Sequence, residues 1–230
     1  MLFREEDEDL EILPFANRAE AGLSLAGKLA AYSGCHDVIV LGLPRGGVPV
    51  AAAVASALKL PLDVFVVIKL GTLWLQELAM GAVAEGGVQV LDLSLAELLA
   101  ISQQDIQEAA AVGRQELESH VISYRGGRPP LDLKGRTVIL VDDGIATGCS
   151  ILAAIAAIRC EGAARVVVAV PVAPATGCSA IQMEADEFVS VEQPEMFLSV
   201  SQWYSDFAQV SDEEVQRLLQ KAETSVARAA

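Results

Sequence analysis

The chain has 230 residues, is 53% hydrophobic and carries a formal net charge of −15, enough for one well-buried α/β domain and too little for two full ones. The acidic balance excludes duplex nucleic acid as a partner, because phosphate neutralisation dominates that affinity, and no apolar run reaches membrane-spanning length. Four cysteines (Cys35, Cys149, Cys160 and Cys178) form no CxxC pair or Cys/His metal spacing, so reduced thiols are expected, and the acidic stretch Glu5 to Asp9 lacks a secretory pattern, which predicts a cytoplasmic location.

Along the chain, strand and helix patterns alternate. Asn17 is placed to cap a helix whose Gly22, Leu25, Ala26 and Leu29 share one face, with Glu20 completing a capping box. Val38 to Leu41 reads as a buried strand, Pro49 to Leu58 as a helix with Val50, Val54, Ala57 and Leu58 inward, and Asp63 to Val67 as a second buried strand. The less regular stretch 70–130 predicts a hairpin over Ala79 to Leu91 and a long helix over Gln103 to Ile122. That helix carries the stripe Ile106, Ala110, Gly113, Leu117 and Val121.

Thr137 to Val141 and Ile151 to Arg159 predict another strand and helix, stopped at Gly162, and Arg165 to Val170 a further buried strand. A C-terminal helix from Ser211, with Glu214 in a second capping box, buries Val215, Leu218, Leu219 and Ala222. Buried strands joined by helices predict an α/β fold: a doubly wound, mostly parallel sheet flanked by helices, with a small hood subdomain. The expected organisation is a single domain over 1–230, with an inserted lid and helical region at about 70–130 and a C-terminal hood at about 175–230.

Two strand–loop–helix units carry chemistry. In VILVDDGIATGCS (Val138 to Ser150) an apolar strand ends in two carboxylates, and a Gly-punctuated turn opens a helix. The unpaired amides and partial positive charge of a helix N-terminus suit a phosphate. Asp142 and Asp143 repel phosphate but suit vicinal hydroxyls and a divalent cation. A ligand with sugar hydroxyls at one end and a phosphate at the other fits both halves. In VIVLGLPRGGVPVAAA (Val38 to Ala53) the adjacent Gly46 and Gly47 allow backbone to approach a bulky anion beside Arg45. The glycine spacing is not GxGxxG, and no GK[ST] follows, so neither a dinucleotide site nor a triphosphate P-loop matches.

At these residues the chain resembles the type I phosphoribosyltransferases, which share a signature for phosphoribosyl pyrophosphate (PRPP). It is most similar to a poorly characterised group with PRGGVPVA, KLG, ELAxGAV and VDDGIATG segments, present here as Pro44 to Ala51, Lys69 to Gly71, Glu77 to Val83 and Val141 to Gly148. The resemblance implies transfer of ribose 5-phosphate from PRPP to a nitrogenous acceptor, a nucleobase and among these a purine, with release of pyrophosphate. It implies that Asp142 and Asp143 hold the ribose hydroxyls, and that Gly144, Ile145, Ala146, Thr147, Gly148, Cys149 and Ser150 hold the 5-phosphate. Arg45, Gly46 and Gly47 would bind pyrophosphate, in a loop that often contains a cis peptide in the family, and Lys69 would assist catalysis. Mg²⁺ is the implied cofactor, bridged by PRPP oxygens and water near Asp142 and Asp143, and a homodimer is the implied assembly.

The chain departs from its relatives in three places. Ile68 stands where the group has Arg, with Arg114, Arg125 and Arg128 as candidate replacements for that charge. The stretch Thr72-Leu-Trp-Leu-Gln replaces one with Pro and Asn, within a segment, Gly71 to Gly81, expected to close over the site. Ala146 replaces the Asp of some purine enzymes and matches the adenine enzymes, so no acid–base group stands there. Late aromatics (Phe197, Trp203, Tyr204 and Phe207) are placed to pack the hood or, through Trp203 and Tyr204, to contact the acceptor. His36 and His120 belong to no motif. Two further functions stay open: a PRPP- or nucleotide-sensing regulator without catalysis, and PRPP-dependent transfer to a non-nucleobase acceptor.

Overall fold

The computed structural model of the chain describes residues 15–71, 79–91, 93–126 and 131–227. Its strands are β1 (Val38–Gly42), β2 (Leu62–Val64), β3 (Val67–Gly71), β4 (Ala79–Ala84), β5 (Gln89–Leu91), β6 (Thr137–Val141), β7 (Arg165–Val172) and β8 (Glu187–Glu192). Its helices are α1 (Arg18–Lys28), α2 (Gly47–Leu58), α3 (Leu93–Leu98), α4 (Gln103–Arg125), α5 (Cys149–Cys160), α6 (Ser179–Glu184) and α7 (Asp212–Ala227). Five strands form one parallel sheet in the order β2-β1-β6-β7-β8, and β3, β4 and β5 form a small antiparallel sheet.

β1 and β6 are buried at every position, as expected of strands with helices on both sides. On one face Val38, Val40, Ile139, Val141 and Val167 meet Leu25 of α1, Val50 and Val54 of α2, and Val215 and Leu219 of α7. On the other, Ile39, Leu41, Val138, Leu140 and Val168 meet Ile151, Ile155 and Ile158 of α5 and Ile181 of α6. The chain leaves β1 in one direction across the sheet and leaves β6 in the other. The gap between them is therefore a topological switch point, where open α/β sheets bind ligands beyond the strands' carboxyl ends. Gly42 pairs with Val141, so the loops after β1 and β6 emerge side by side.

The doubly wound architecture is as predicted, and several local expectations are corrected. The run Asp63 to Val67 is divided between two sheets: β2 ends at Val64 and β3 begins at Val67. Phe65 and Val66 between them are buried, which is why hydropathy carries no sign of the break. Helix α2 begins at Gly47 rather than Pro49, and Ala57 is exposed while Ala51 and Ala55 face inward. Asn17 caps α1 through the amides of Ala19 and Glu20, but Glu20 accepts from Ala16 N–H and not from the cap residue. Ser211 Oγ accepts the Glu214 amide as predicted for α7. β8 and α6 have no counterpart in the sequence reading, since Glu187 and Glu192 bracket an edge strand that is only half-buried.

The long helix α4 runs three residues beyond its predicted end and buries Tyr124 and Arg125. Tyr124 Oη donates to Asp212 at 2.6 Å, joining α4 to α7. Arg125 donates to Glu85 at 2.5 Å and to the Val64 carbonyl at 2.8 Å, with Asp63 at 3.6 Å. Among the described residues no helix is long and apolar enough to cross a membrane.

Candidate active site

The two loops at the switch point are in van der Waals contact, and glycine makes that possible. A Cβ on Gly47 would lie 2.7 Å from the Val141 carbonyl oxygen and 2.8 Å from Asp142 Cα, and a Cβ on Gly46 would overlap Asp143 Oδ2. Leu43 N–H donates to the Val141 carbonyl at 2.9 Å, tying the loops at their roots. The Pro44–Arg45 peptide between them is cis.

Gly148 caps α5 in the left-handed region at φ 75°. The first helical bond is from Leu152 N–H to the Gly148 carbonyl at 3.0 Å. The amides of Cys149, Ser150 and Ile151 therefore lie ahead of the ladder and face outward from the helix end. Ile145 differs from its neighbours: its N–H donates to Val172 at 3.0 Å, and its side chain is buried in the core. It anchors the loop and offers no amide to a ligand, which corrects the expectation that all seven residues Gly144 to Ser150 present theirs.

Two adjoining cavities of about 400 and 300 Å³ share Lys69, Asp142 and Ser150. The larger is also lined by Leu43, Pro44, Ile68 and Glu116, the smaller by Asp143, residues 144–149, Val200 and Phe207. Lys69 and Arg45 are exposed. Burial, and then the neighbouring Asp143 charge, push the Asp142 carboxyl well above its usual range, with the Asp143 amide at 2.8 Å opposing. Burial also raises Asp143, against the pull of Arg18.

The sign of the resulting pH dependence is definite. A carboxyl whose pKa is higher folded than unfolded holds more protons in the native state, so stability falls as pH rises from the unfolded value of 3.8 through the folded one. Asp142→Asn should therefore melt higher than wild type at neutral pH, with no gain below both pKa values. Equal shifts at pH 3 and pH 7.5 in a calorimetric scan would show that the buried charge is not the cause.

Lys69, Asp142, Asp143 and residues 144–150 thus line these adjoining cavities, with Gly46 and Gly47 packed against the acidic pair, whereas Arg45 lines neither and its charge acts on Tyr124. Other expectations fall elsewhere. Trp203 and Tyr204 are buried in an aromatic cluster with Phe15, Val172, Phe197 and Phe207, and Tyr204 Oη donates to the Asp143 backbone carbonyl at 2.6 Å. They pack and tether, and it is Phe207 that borders the cleft. Arg125 is locked in the buried cluster with Glu85 and does not replace the charge missing at Ile68. Arg114 is exposed on α4, while Arg128 and residues 72–78 of the expected closing segment lie outside the described residues.

Three residues bordering the site were not singled out from sequence: Arg18, Glu116 and Val200. Arg18 Nε donates to Asp143 Oδ2 at 2.9 Å and Nη1 to the Ala208 carbonyl at 2.8 Å, with its guanidinium 3.8 Å from the Phe207 ring centroid. One cue existed. A cation at the first helical position opposes the helix dipole, so Arg18 needs compensation from outside its helix.

A family model described as Phosphoribosyl transferase domain matches residues 11–208. Proteins from two Mycobacterium tuberculosis strains (CDC 1551 / Oshkosh and H37Rv), each provisionally named a phosphoribosyl transferase, are 44% identical over 218 residues, or 94% of this chain and 48% of theirs. The chain thus spans about half the length of the curated relatives it matches. The crystal structure of TT1426 from Thermus thermophilus is similar at 43% identity and a TM-score of 0.76, covering 90% of this chain and 98% of that one.

Proposed function

The chain belongs to the phosphoribosyl transferase domain family, and from that premise we propose that its cleft binds PRPP and transfers ribose 5-phosphate to a nitrogenous acceptor, releasing pyrophosphate. The observation that carries this reading is the contact of the Gly46–Gly47 turn with Asp142 and Asp143. It brings a glycine turn, an acidic pair and a helix N-terminus close together, groups suited to an anion, to vicinal hydroxyls and to a phosphate. Asp142 and Asp143 accept from the ribose hydroxyls. The amides of Cys149 and Ser150, with the Thr147 hydroxyl, hold the 5-phosphate. The amides of Gly46 and Gly47, with Arg45 and Lys69, receive the pyrophosphate.

Because the reacting carbon gains oxocarbenium character as pyrophosphate departs, these groups act by positioning and by neutralising charge. Among the described residues no three His, Cys, Asp or Glu side chains gather as a metal cage. Asp142 and Asp143 are the carboxylates that would stand beside a magnesium ion brought in with PRPP. Such an ion, when bound, would offset pyrophosphate charge in a strongly acidic protein. We also propose that 1–230 acts as one unit, with 70–130 as an inserted lid region and 175–230 as the hood, in a cytoplasmic homodimer. A purine is the first acceptor to test, because Ala146 matches the adenine enzymes. Ile68 in place of Arg favours a second reading, a PRPP sensor without turnover.

The deciding measurement is magnesium-dependent pyrophosphate release from PRPP with a panel of nucleobases and amines. Wild type should turn over with at least one acceptor, and Asp143→Asn should lose about 10²-fold or more in kcat/KM, roughly 2.7 kcal/mol or above. Full activity in Asp143→Asn would overturn the assignment of the acidic pair. PRPP binding without turnover on any acceptor would select the sensor.

A further inference from the structure

We propose that Arg18 is a positioning residue for the acidic pair: it holds the Asp143 carboxylate in its ligand-facing orientation and ties it to the hood segment Val200–Ala208. The proposal rests on the reading of the cleft as a PRPP site. Asp143 Oδ2 lies against Gly46 on one side and accepts from Arg18 Nε at 2.9 Å on the other. Both side chains are largely buried, at 11% and 15% exposure. With Oδ2 held this way, Oδ1 is the oxygen left for a ribose hydroxyl.

Arg18 reaches across three parts of the fold to do this. Its backbone starts α1, its Nε engages the loop after β6, and its Nη1 donates to Ala208 at 2.8 Å in the hood. The guanidinium covers Phe207, itself a wall of the cleft, and a cation over an aromatic face in a partly buried setting is attractive. Beside it Tyr204, whose ring centroid is 5.9 Å from the guanidinium, holds the Asp143 carbonyl through Oη. The hood therefore grips the main chain of Asp143 through Tyr204 and its carboxylate through Arg18. A planar fork meets these two acceptors and the ring at once, which a lysine ammonium cannot do. Without Arg18 behind it, the adjacent carboxylates of Asp142 and Asp143 would have Lys69 as the one cation lining that cavity among the described residues.

Calorimetric titration of PRPP with magnesium into wild type, Arg18→Met and Arg18→Lys, together with steady-state pyrophosphate release, tests this. Arg18→Met should bind PRPP about tenfold or more weakly, with KM raised and kcat within about threefold. Arg18→Lys should recover part of the affinity, falling roughly two- to fivefold short of wild type. In an Asp143→Asn background Arg18→Met should change affinity less than it does alone. Equal affinity in wild type and Arg18→Met, with only the melting temperature lowered, would reduce Arg18 to a structural contact and overturn the proposal alone. If Arg18→Met does not fold, wild-type affinity in Arg18→Lys overturns it in the same way. Wild-type protein that fails to bind PRPP overturns the reading of the cleft and this proposal with it.

Discussion

Gly46→Ala is expected to lower kcat/KM for PRPP by about 10²-fold or more, since displacement of reacting groups by about 1 Å has an effect of that order. The backbone of Gly46 is right-handed helical, φ −62° and ψ −35°, a conformation that alanine adopts freely. The substitution therefore introduces no backbone strain, and its consequences come from the added methyl group. That methyl would overlap Asp143 Oδ2, so either the carboxylate rotates off its Arg18 contact or the two loops separate. The accompanying stability loss should be modest, about 1–3 kcal/mol for overpacking, and visible as a lower urea midpoint. Pyrophosphate release within about threefold of wild type would mean that the Asp143 orientation seen here is not the one that matters. A comparable loss in Gly47→Ala is expected because the Val141 carbonyl and Asp142 Cα, both backbone atoms, cannot yield as a side chain can.

Arg125→Ala should produce the largest loss of stability, about 3–5 kcal/mol, because removing one partner of a buried ionic cluster leaves the others uncompensated. Arg125 is 5% exposed at its side chain and lies against Glu85 and Asp63, at 11% and 13%. Burial already pushes the Glu85 carboxyl above its usual range despite Arg125 and the Val66 amide at 2.7 Å. Deleting the guanidinium raises it further. A carboxyl raised in the folded state destabilises increasingly as pH climbs through its folded pKa. The variant should thus be closest to wild type in mild acid and worst above neutrality, with a melting temperature lower by roughly 6–20 °C there. A loss independent of pH would assign the effect to packing and to the bond to Val64. The same experiment separates structure from chemistry at Arg125, since folded variant at low temperature should retain PRPP affinity.

Much of the fold is legible in sequence because burial on both faces leaves a plain mark. Val38–Gly42, Thr137–Val141 and Arg165–Val172 are largely apolar runs, and each is a central strand. Elements with mixed burial escaped: β8 sits at the sheet edge, where its carboxylates are allowed, and the break at Phe65 lies inside an apolar run that periodicity cannot divide. Side-chain partners at a distance escaped as well. Nothing local distinguishes Arg125, buried against Glu85, from Arg114, exposed on the same helix. Likewise Trp203 and Tyr204 read as aromatics without an address until Phe15 pairs with Tyr204 and completes the cluster around them.

The chemistry of the proposed ligand-binding loops is written in consecutive residues, with two carboxylates, a glycine turn and a helix start within Asp142 to Ser150. Their character therefore follows from the chain's residues alone, as does the parallel sheet that presents them. How the loops meet, and which charges stand beside them, follows from packing. The contact of Gly46 with Asp143 joins residues 97 positions apart, and the Arg18–Asp143 pair spans 125. Such pairings arise from strand order and register, which bring β1 beside β6 and set the start of α1 against Phe207 and Ala208. Local propensity encodes each loop, and the packing of the whole chain makes them one cleft.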